Sequence, residues 1–81
     1  MSLLPEFVAW AGSQAAAGQK LGIGEAMVSL ILSGKRPLQP QQAINGERNS
    51  DGLFKADDLK PGVQFTRDEA GQVTGWLVEA A

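Results

Sequence analysis

Few residue types in this chain of 81 residues could carry out covalent chemistry. It contains no cysteine, histidine or tyrosine, which excludes thiolate nucleophiles, imidazole bases and metal sites built on sulfur or imidazole. Two pairs of neighbouring carboxylates remain, Asp57 with Asp58 and Asp68 with Glu69. Because adjacent side chains diverge on a strand, we interpret both pairs as solvated charges. The sequence therefore predicts no catalytic residue, metal ligand, cofactor or small-molecule substrate, and an enzyme is not expected.

A glycine-rich stretch, LGIGEAMVSLILSGKR at residues 21–36, raises the possibility of a phosphate-binding loop. A P-loop needs GxxxxGK followed by serine or threonine, whereas Lys35 is followed by Arg36. A dinucleotide-binding loop needs GxGxxG, and Met27 occupies the position of the third glycine. Neither phosphate-binding motif is therefore present.

The same stretch does not predict a membrane protein. Its apolar run, residues 26–32, is far shorter than the roughly 18 apolar residues that a membrane-spanning helix needs. The first ten residues contain Glu6 and no basic start, so they are unlike a signal peptide. We expect a cytoplasmic protein that does not associate with membranes.

Charge is distributed unevenly along the chain. The formal net charge is −2, but residues 1–50 hold four basic and three acidic side chains, whereas residues 51–81 hold three and six. Because nucleic acids are polyanions, a surface that contacts DNA is expected in the first half, with the acidic end turned away from it.

Helix-capping residues predict three helices in the first half of the chain. Pro5 suits the first turn of a helix that Gly12 ends. Ser13 is a good N-cap for a second helix, residues 14–21, which stops at a glycine. The third helix, residues 25–33, lies between two glycines and carries a carboxylate in its first turn, which complements the helix dipole.

The second half of the chain predicts weaker elements. Pro40 starts a fourth helix that reaches about Asn49 and is weakened by Asn45 and Gly46. Residues 53–62 are expected to be extended or turned. Alternating apolar residues then predict a hairpin with strands at 63–67 and 72–78, joined by a turn at 68–71.

The spacing of small and branched residues from the second to the third helix predicts a helix-turn-helix motif. Such a motif needs a small residue where the helices meet, which is Gly18, and a glycine four residues later, which is Gly22. A β-branched core residue is needed six residues further on, and Val28 stands there. The apolar residues that would join the two helices are Leu21, Ile23, Val28, Ile31 and Leu32. Because this spacing is a loose signal, an unspecialised helical hairpin is the alternative.

The stretch GSQAAAGQKLGIGEAMVSLILSGKRPLQPQQA, residues 12–43, resembles the Cro-type helix-turn-helix repressors of temperate phages, including YdaS-type Cro-like domains. In that family SGKR and a nearby proline follow the recognition helix, and a DLRP element ends the domain; here DLKP occupies residues 58–61. The resemblance covers about residues 3–62. It implies a mainly α, lambda-repressor-like domain of four to five helices in residues 1–62, with a C-terminal β-hairpin in residues 63–81.

The resemblance also implies which residues contact DNA. The third helix would enter the major groove, with Glu25 accepting a hydrogen bond from a cytosine and Ala26 or Leu30 touching a thymine methyl group. Lys35 and Arg36 would pair with phosphates. The predicted DNA-binding residues are Gln14, Gly24, Glu25, Ala26, Ser29, Leu30, Lys35 and Arg36. The alternatives are a surface carboxylate at Glu25, a core or dimer residue at Leu30 and a solvated basic turn.

The function implied is a transcriptional repressor in a bacterial host cell, which occupies a palindromic operator of double-stranded DNA as a homodimer. Its hairpin would supply the dimer contact through Val63, Phe65, Val73, Trp76 and Val78. Alternatively, the hairpin only covers its own core. Trp10 is expected in core or interface packing.

A second function remains open, an antitoxin-like or antirepressor module that binds a protein on the same scaffold. The exposed face of the third helix has no lysine or arginine, and Gly18 stands where the family usually has alanine. The weakly basic face keeps this alternative open, in which the acidic tail would bind the partner.

Overall fold

The computed structural model describes residues 2–77. Within this range, five helices are followed by two strands. They are α1 (Leu4–Ala11), α2 (Gln14–Leu21), α3 (Glu25–Leu32), α4 (Pro40–Asn49), α5 (Ala56–Leu59), β1 (Phe65–Arg67) and β2 (Val73–Trp76). The chain is therefore a small, mainly helical domain with an antiparallel hairpin near its C-terminus. No helix in residues 2–77 is both long and apolar enough to cross a bilayer.

Local sequence signals account for the ends of the first three helices. The Ser13 hydroxyl accepts a hydrogen bond from the Ala16 amide at 3.0 Å and caps α2, as predicted. At the end of α3, the Gly34 amide donates to the Ile31 carbonyl at 3.1 Å and the Lys35 amide to the Leu30 carbonyl at 2.9 Å. These two bonds form a Schellman motif, which the positive φ of Gly34, 80°, permits.

The fourth helix has the predicted length and continues through Asn45 and Gly46, the two residues expected to weaken it. Gly46 is buried, and a Cβ atom there would lie 2.7 Å from Leu59 Cδ1 and 2.9 Å from Leu21 Cδ2. Asn45 donates a side-chain hydrogen bond to the Leu21 carbonyl at 3.0 Å. Both residues have poor helix propensity, and both are used for contacts with neighbouring helices.

The stretch predicted to be extended or turned contains one helical turn, α5. Ala56 and Leu59 point to the same side and are 0% and 1% exposed. Asp57 and Asp58 therefore belong to a helix and not to a strand. Four residues are too few to show helical periodicity, so the sequence pattern missed this element.

The hydrophobic core includes residues from both the helices and the hairpin. Its largest fully buried side chains are Phe7, Leu21, Val28, Ile44, Leu59 and Val73. Val73 lies in β2, so the hairpin packs against the helical part of the same chain. Trp10, which was expected in packing, is 42% exposed and covers one side of Phe7 and Phe54, with ring centroids 5.6 and 5.7 Å away.

The hairpin is shorter than predicted. Phe65 is paired with Trp76 and Arg67 with Val73, while position 78, the predicted end of the second strand, lies outside the described residues. The turn is where the sequence predicts it, because the Asp68 carboxylate accepts hydrogen bonds from the amides of Ala70 and Gln72 at 3.0 and 2.9 Å.

Candidate nucleic-acid interface

The turn between α2 and α3 brings two backbone segments into close contact. A Cβ atom on Gly18 would lie 2.6 Å from the Ile23 carbonyl oxygen, so only glycine fits without a shift of the turn. Gly22 has a φ of 82°, a conformation that other residues rarely adopt. The amides of Gly22 and Ile23 both donate to the Gly18 carbonyl at 2.8 Å. Backbone contacts therefore determine how α3 leaves the turn.

Two asparagines of α4 hold the C-terminus of α2. Asn45 donates to the Leu21 carbonyl at 3.0 Å, and Asn49 donates to the Lys20 carbonyl at 2.7 Å. The last carbonyls of a helix have no partner within the helix, so these side chains satisfy them. Gln41 donates to the Asn45 side-chain oxygen at 3.2 Å and orients that amide. Sequence reasoning missed this role, since the partners are 24 and 29 residues apart.

One side of α3 packs inward and the other faces solvent. Val28 is 0% exposed and is the fully buried residue of α3. Most of the residues predicted to contact bases are exposed, and Leu30 is half-buried. The exposed ones are Gly24, Glu25, Ala26 and Ser29. The structure thus brings all five together on α3 and its N-cap, beside Met27, which is 37% exposed.

Two cations follow α3 directly. Lys35 and Arg36 are both exposed, and their amides donate to the Leu30 carbonyl at 2.9 and 3.3 Å, which keeps them at the end of the helix. Within residues 2–77, neither side chain forms an ion pair. Their charges are therefore available to an anion that lies along α3.

The other predicted phosphate contact, Gln14, is the first residue of α2 and is half-buried. Its amide and that of Ala15 have no acceptor among the described residues, since Ser13 takes only the Ala16 amide. Lys20 differs from Lys35 and Arg36, because its ammonium lies 5.1 Å from the centroid of the Trp10 ring. Lys20 therefore already has a partner within the fold.

A charged cluster that sequence reasoning missed joins the hairpin to the helices. Glu47 of α4 is 3% exposed, and its two carboxylate oxygens each accept a bond of 2.7 Å from Arg67 of β1. The Ala56 amide donates to the same carboxylate at 2.8 Å. Arg67 also bonds to Asp57, which was expected to be only a solvated charge.

This cluster shifts the pKa values of Glu47 and Arg67. The Arg67 guanidinium holds the pKa of the Glu47 carboxyl below its usual value, although burial opposes the shift. The carboxylates of Glu47 and Asp57 in turn raise the pKa of Arg67. The two oxygens of Glu47 are both occupied by donors, so the cluster fastens the hairpin to α4 and α5. In residues 2–77 no group of three acidic side chains could hold a metal ion.

The predicted dimerisation residues differ in how much of their surface is exposed. Val63, Phe65 and Trp76 are half-buried, and the last two pack against the core. Val73 is 2% exposed and belongs to the core of its own chain, so it offers almost no surface to a second one. Val78 lies outside the described residues. Among the described residues from 63 to 77, Leu77 is the exposed large apolar residue, at 54%.

The candidate interface thus consists of α2, the turn after it, α3 and the two cations that follow. The N-cap serine and the two turn glycines position these elements locally, and the asparagines of α4 hold the end of α2 by hydrogen bonds. When the chain is compared with protein-family models, curated proteins and solved structures, none of them matches it.

Proposed function

We propose that this chain is a sequence-specific DNA-binding repressor of the phage Cro type, which acts as a dimer on a palindromic operator. The observation that carries the proposal is the close backbone contact between Gly18 and Ile23, which fixes α3 against α2 while its outer face stays exposed. This is the arrangement expected of a helix-turn-helix motif with α3 as the recognition helix.

The first residues of α3 are suited to reading base edges. Glu25 can accept a hydrogen bond from the amino group of a cytosine, and Ala26 or Leu30 can contact a thymine methyl group. Ser29 can donate to or accept from a base, and Gly24 lets the backbone approach closely. These contacts would supply the sequence preference.

Phosphate contacts would hold the protein on the duplex without reading sequence. Lys35 and Arg36 supply positive charge, and the free amides at the start of α2 can bind a phosphate together with Gln14. The pairing of Lys20 with Trp10 leaves Lys35 and Arg36 as the main cations of the interface.

A second function, the antitoxin-like or antirepressor module, is favoured by one observation. The exposed face of α3 has no basic residue and presents Met27, a residue type common at surfaces that bind proteins. A module of this kind would not select any sequence from a pool of random duplex DNA, whereas the repressor would.

The DNA-binding proposal predicts that Lys35→Ala changes the affinity for DNA and that Glu25→Gln changes the sequence preference. A dimer with two phosphate-binding cations in each chain neutralises about four phosphates, so log K should fall against log salt with a slope of about −3.6. Lys35→Ala should weaken binding to all sequences alike and reduce the slope by about 2. Glu25→Gln should change the preferred base at one operator position, at a cost of about 1–3 kcal/mol for the original base. Operator selection followed by salt titrations measures both effects.

Lys55→Ala is the matched control, since Lys55 is an exposed cation just before α5 and outside the interface. It should leave both the selected sequence and the salt slope nearly unchanged. Failure of the wild-type protein to enrich any sequence would contradict the repressor. Uniformly tighter binding of Glu25→Gln to all DNA would show that Glu25 repels the duplex and does not read it.

The dimer proposal predicts that a charge on the hairpin separates the two chains. Leu77→Glu places a carboxylate on the exposed apolar residue of the hairpin, where burial in a second chain would desolvate it. Wild-type protein should sediment at twice the 8.5 kDa chain mass, and Leu77→Glu at the mass of one chain.

Leu53→Glu is the control for that experiment. Leu53 is 63% exposed and lies in the segment between α4 and α5, outside the hairpin. This variant should remain a dimer. A Leu77→Glu protein that still sediments as a dimer would show that the hairpin is not the contact between chains.

A further inference from the structure

A cavity of about 320 Å³ lies where the start of α1, the end of α3 and the residues around α5 meet. It is on the C-terminal side of α3, whereas the residues proposed to read bases are at the N-terminal side. Its volume is at the lower end of the range found for pockets that bind small molecules, roughly 300–1,000 Å³.

One part of the cavity wall is hydrocarbon. Leu4, Leu38 and Leu59 line it and are only 3%, 5% and 1% exposed, so the core holds their positions. Ile31 and Leu32 of α3 complete this apolar wall and are half-buried. An apolar group that enters the cavity would be shielded from water on several sides, which favours its binding.

The polar lining residues are one serine and two cations. Ser2 is already committed, since its hydroxyl donates to the Leu59 carbonyl at 2.6 Å and accepts from the Leu4 amide at 3.1 Å. The charged residues that line the cavity are Arg36 and Lys60, and none of the lining residues in the described range 2–77 is acidic. Among residues 2–77, neither of these cations forms an ion pair. Charge complementarity therefore selects an anion.

We propose that this cavity binds a small amphipathic carboxylate. The hydrocarbon part lies against the leucine wall, and the carboxylate accepts charge-assisted hydrogen bonds from Arg36 and Lys60. At about 30 Å³ for each water-sized group, the cavity has room for about ten such groups. That size fits a carboxylate with a chain of about eight carbons. The site shares Arg36 with the proposed DNA interface, but the carboxylate would bind in the absence of DNA.

Titration of the DNA-free protein with octanoate, followed by NMR of the methyl groups, tests the proposal. Saturable shifts should appear at the methyl groups of Ile31, Leu32, Leu38 and Leu59. Arg36→Ala and Lys60→Ala should each weaken the affinity about threefold to tenfold, since each removes one charge-assisted contact from a partly exposed site. Lys55→Ala, which removes an exposed cation that does not line the cavity, should leave the affinity unchanged.

Two further ligands separate the contribution of charge from that of hydrocarbon. Octylamine, which is cationic at neutral pH, and 1-octanol have the same chain and should bind at least tenfold more weakly than octanoate. If octylamine or 1-octanol bound as tightly as octanoate, the proposal would be overturned, because the two cations would then not select a carboxylate. Shifts that are scattered over the surface, or undiminished binding to both alanine variants, would also overturn it.

Discussion

Arg67→Ala is expected to lower the free energy of unfolding by about 3 kcal/mol. The change leaves the Glu47 carboxylate, 3% exposed, with the Ala56 amide as its donor within the described residues. Removing one partner of a buried ion pair costs about 3–5 kcal/mol, and the lower end applies because the Arg67 side chain is 26% exposed. Urea denaturation at pH 7, monitored by tryptophan fluorescence, measures the loss.

The same pair gives the protein a predictable dependence on pH. Because Arg67 holds the pKa of Glu47 below its ordinary value of 4.5, the folded state binds this proton more weakly than the unfolded chain. The stability contributed by the pair is therefore complete above about pH 4.5 and is lost as the pH falls through the lower, folded pKa. The difference in stability between wild type and Arg67→Ala should shrink over that acidic range.

Arg48→Ala is the control for the Arg67 prediction. Arg48 is exposed and donates one hydrogen bond of 3.2 Å to the Val73 carbonyl, so it also links α4 to the hairpin. Its loss should cost about 1 kcal/mol or less, with no change in the acid dependence. If both arginine variants lose the same stability at pH 7, the buried carboxylate has no special role in fastening the hairpin.

Gly18→Ala is expected to destabilise the protein by about 2 kcal/mol and to abolish selective DNA binding. Its Cβ atom would lie 2.6 Å from the Ile23 carbonyl oxygen and 3.3 Å from the Gly24 carbonyl carbon. These are backbone atoms of a tight turn, so the strain is relieved only if α3 moves. Overpacking costs about 1–3 kcal/mol, and the better helix propensity of alanine returns up to about 1 kcal/mol. Thermal unfolding and operator binding measure the two effects.

Gly24→Ala is the matched control for stability. A Cβ atom on Gly24 would have nothing within 4 Å, and its φ of −78° is accessible to alanine. This variant should differ from the wild type by less than about 1 kcal/mol, because alanine is a poorer N-cap than glycine but loses less entropy on folding. A Gly18→Ala protein with wild-type stability would show that the turn between α2 and α3 adapts to alanine.

The sequence by itself determined the elements whose ends are set by local interactions. The bounds of α2 follow from Ser13 and Gly22, and the turn of the hairpin follows from Asp68, because each cap or turn is made by residues within a few positions of one another. The exposed positions of α3 were predictable for the same reason, since one buried valine, Val28, fixes which side of a short helix faces inward.

Only the tertiary structure decided what supports these elements. The need for glycine at position 46 appears only when Leu21 and Leu59 are placed beside it. Glu47 looks like a surface carboxylate until β1 brings Arg67, 20 residues later, against it. The cavity beside α3 exists because three separate elements meet there. Such contacts form between residues that are distant in the sequence, so local sequence patterns do not predict them.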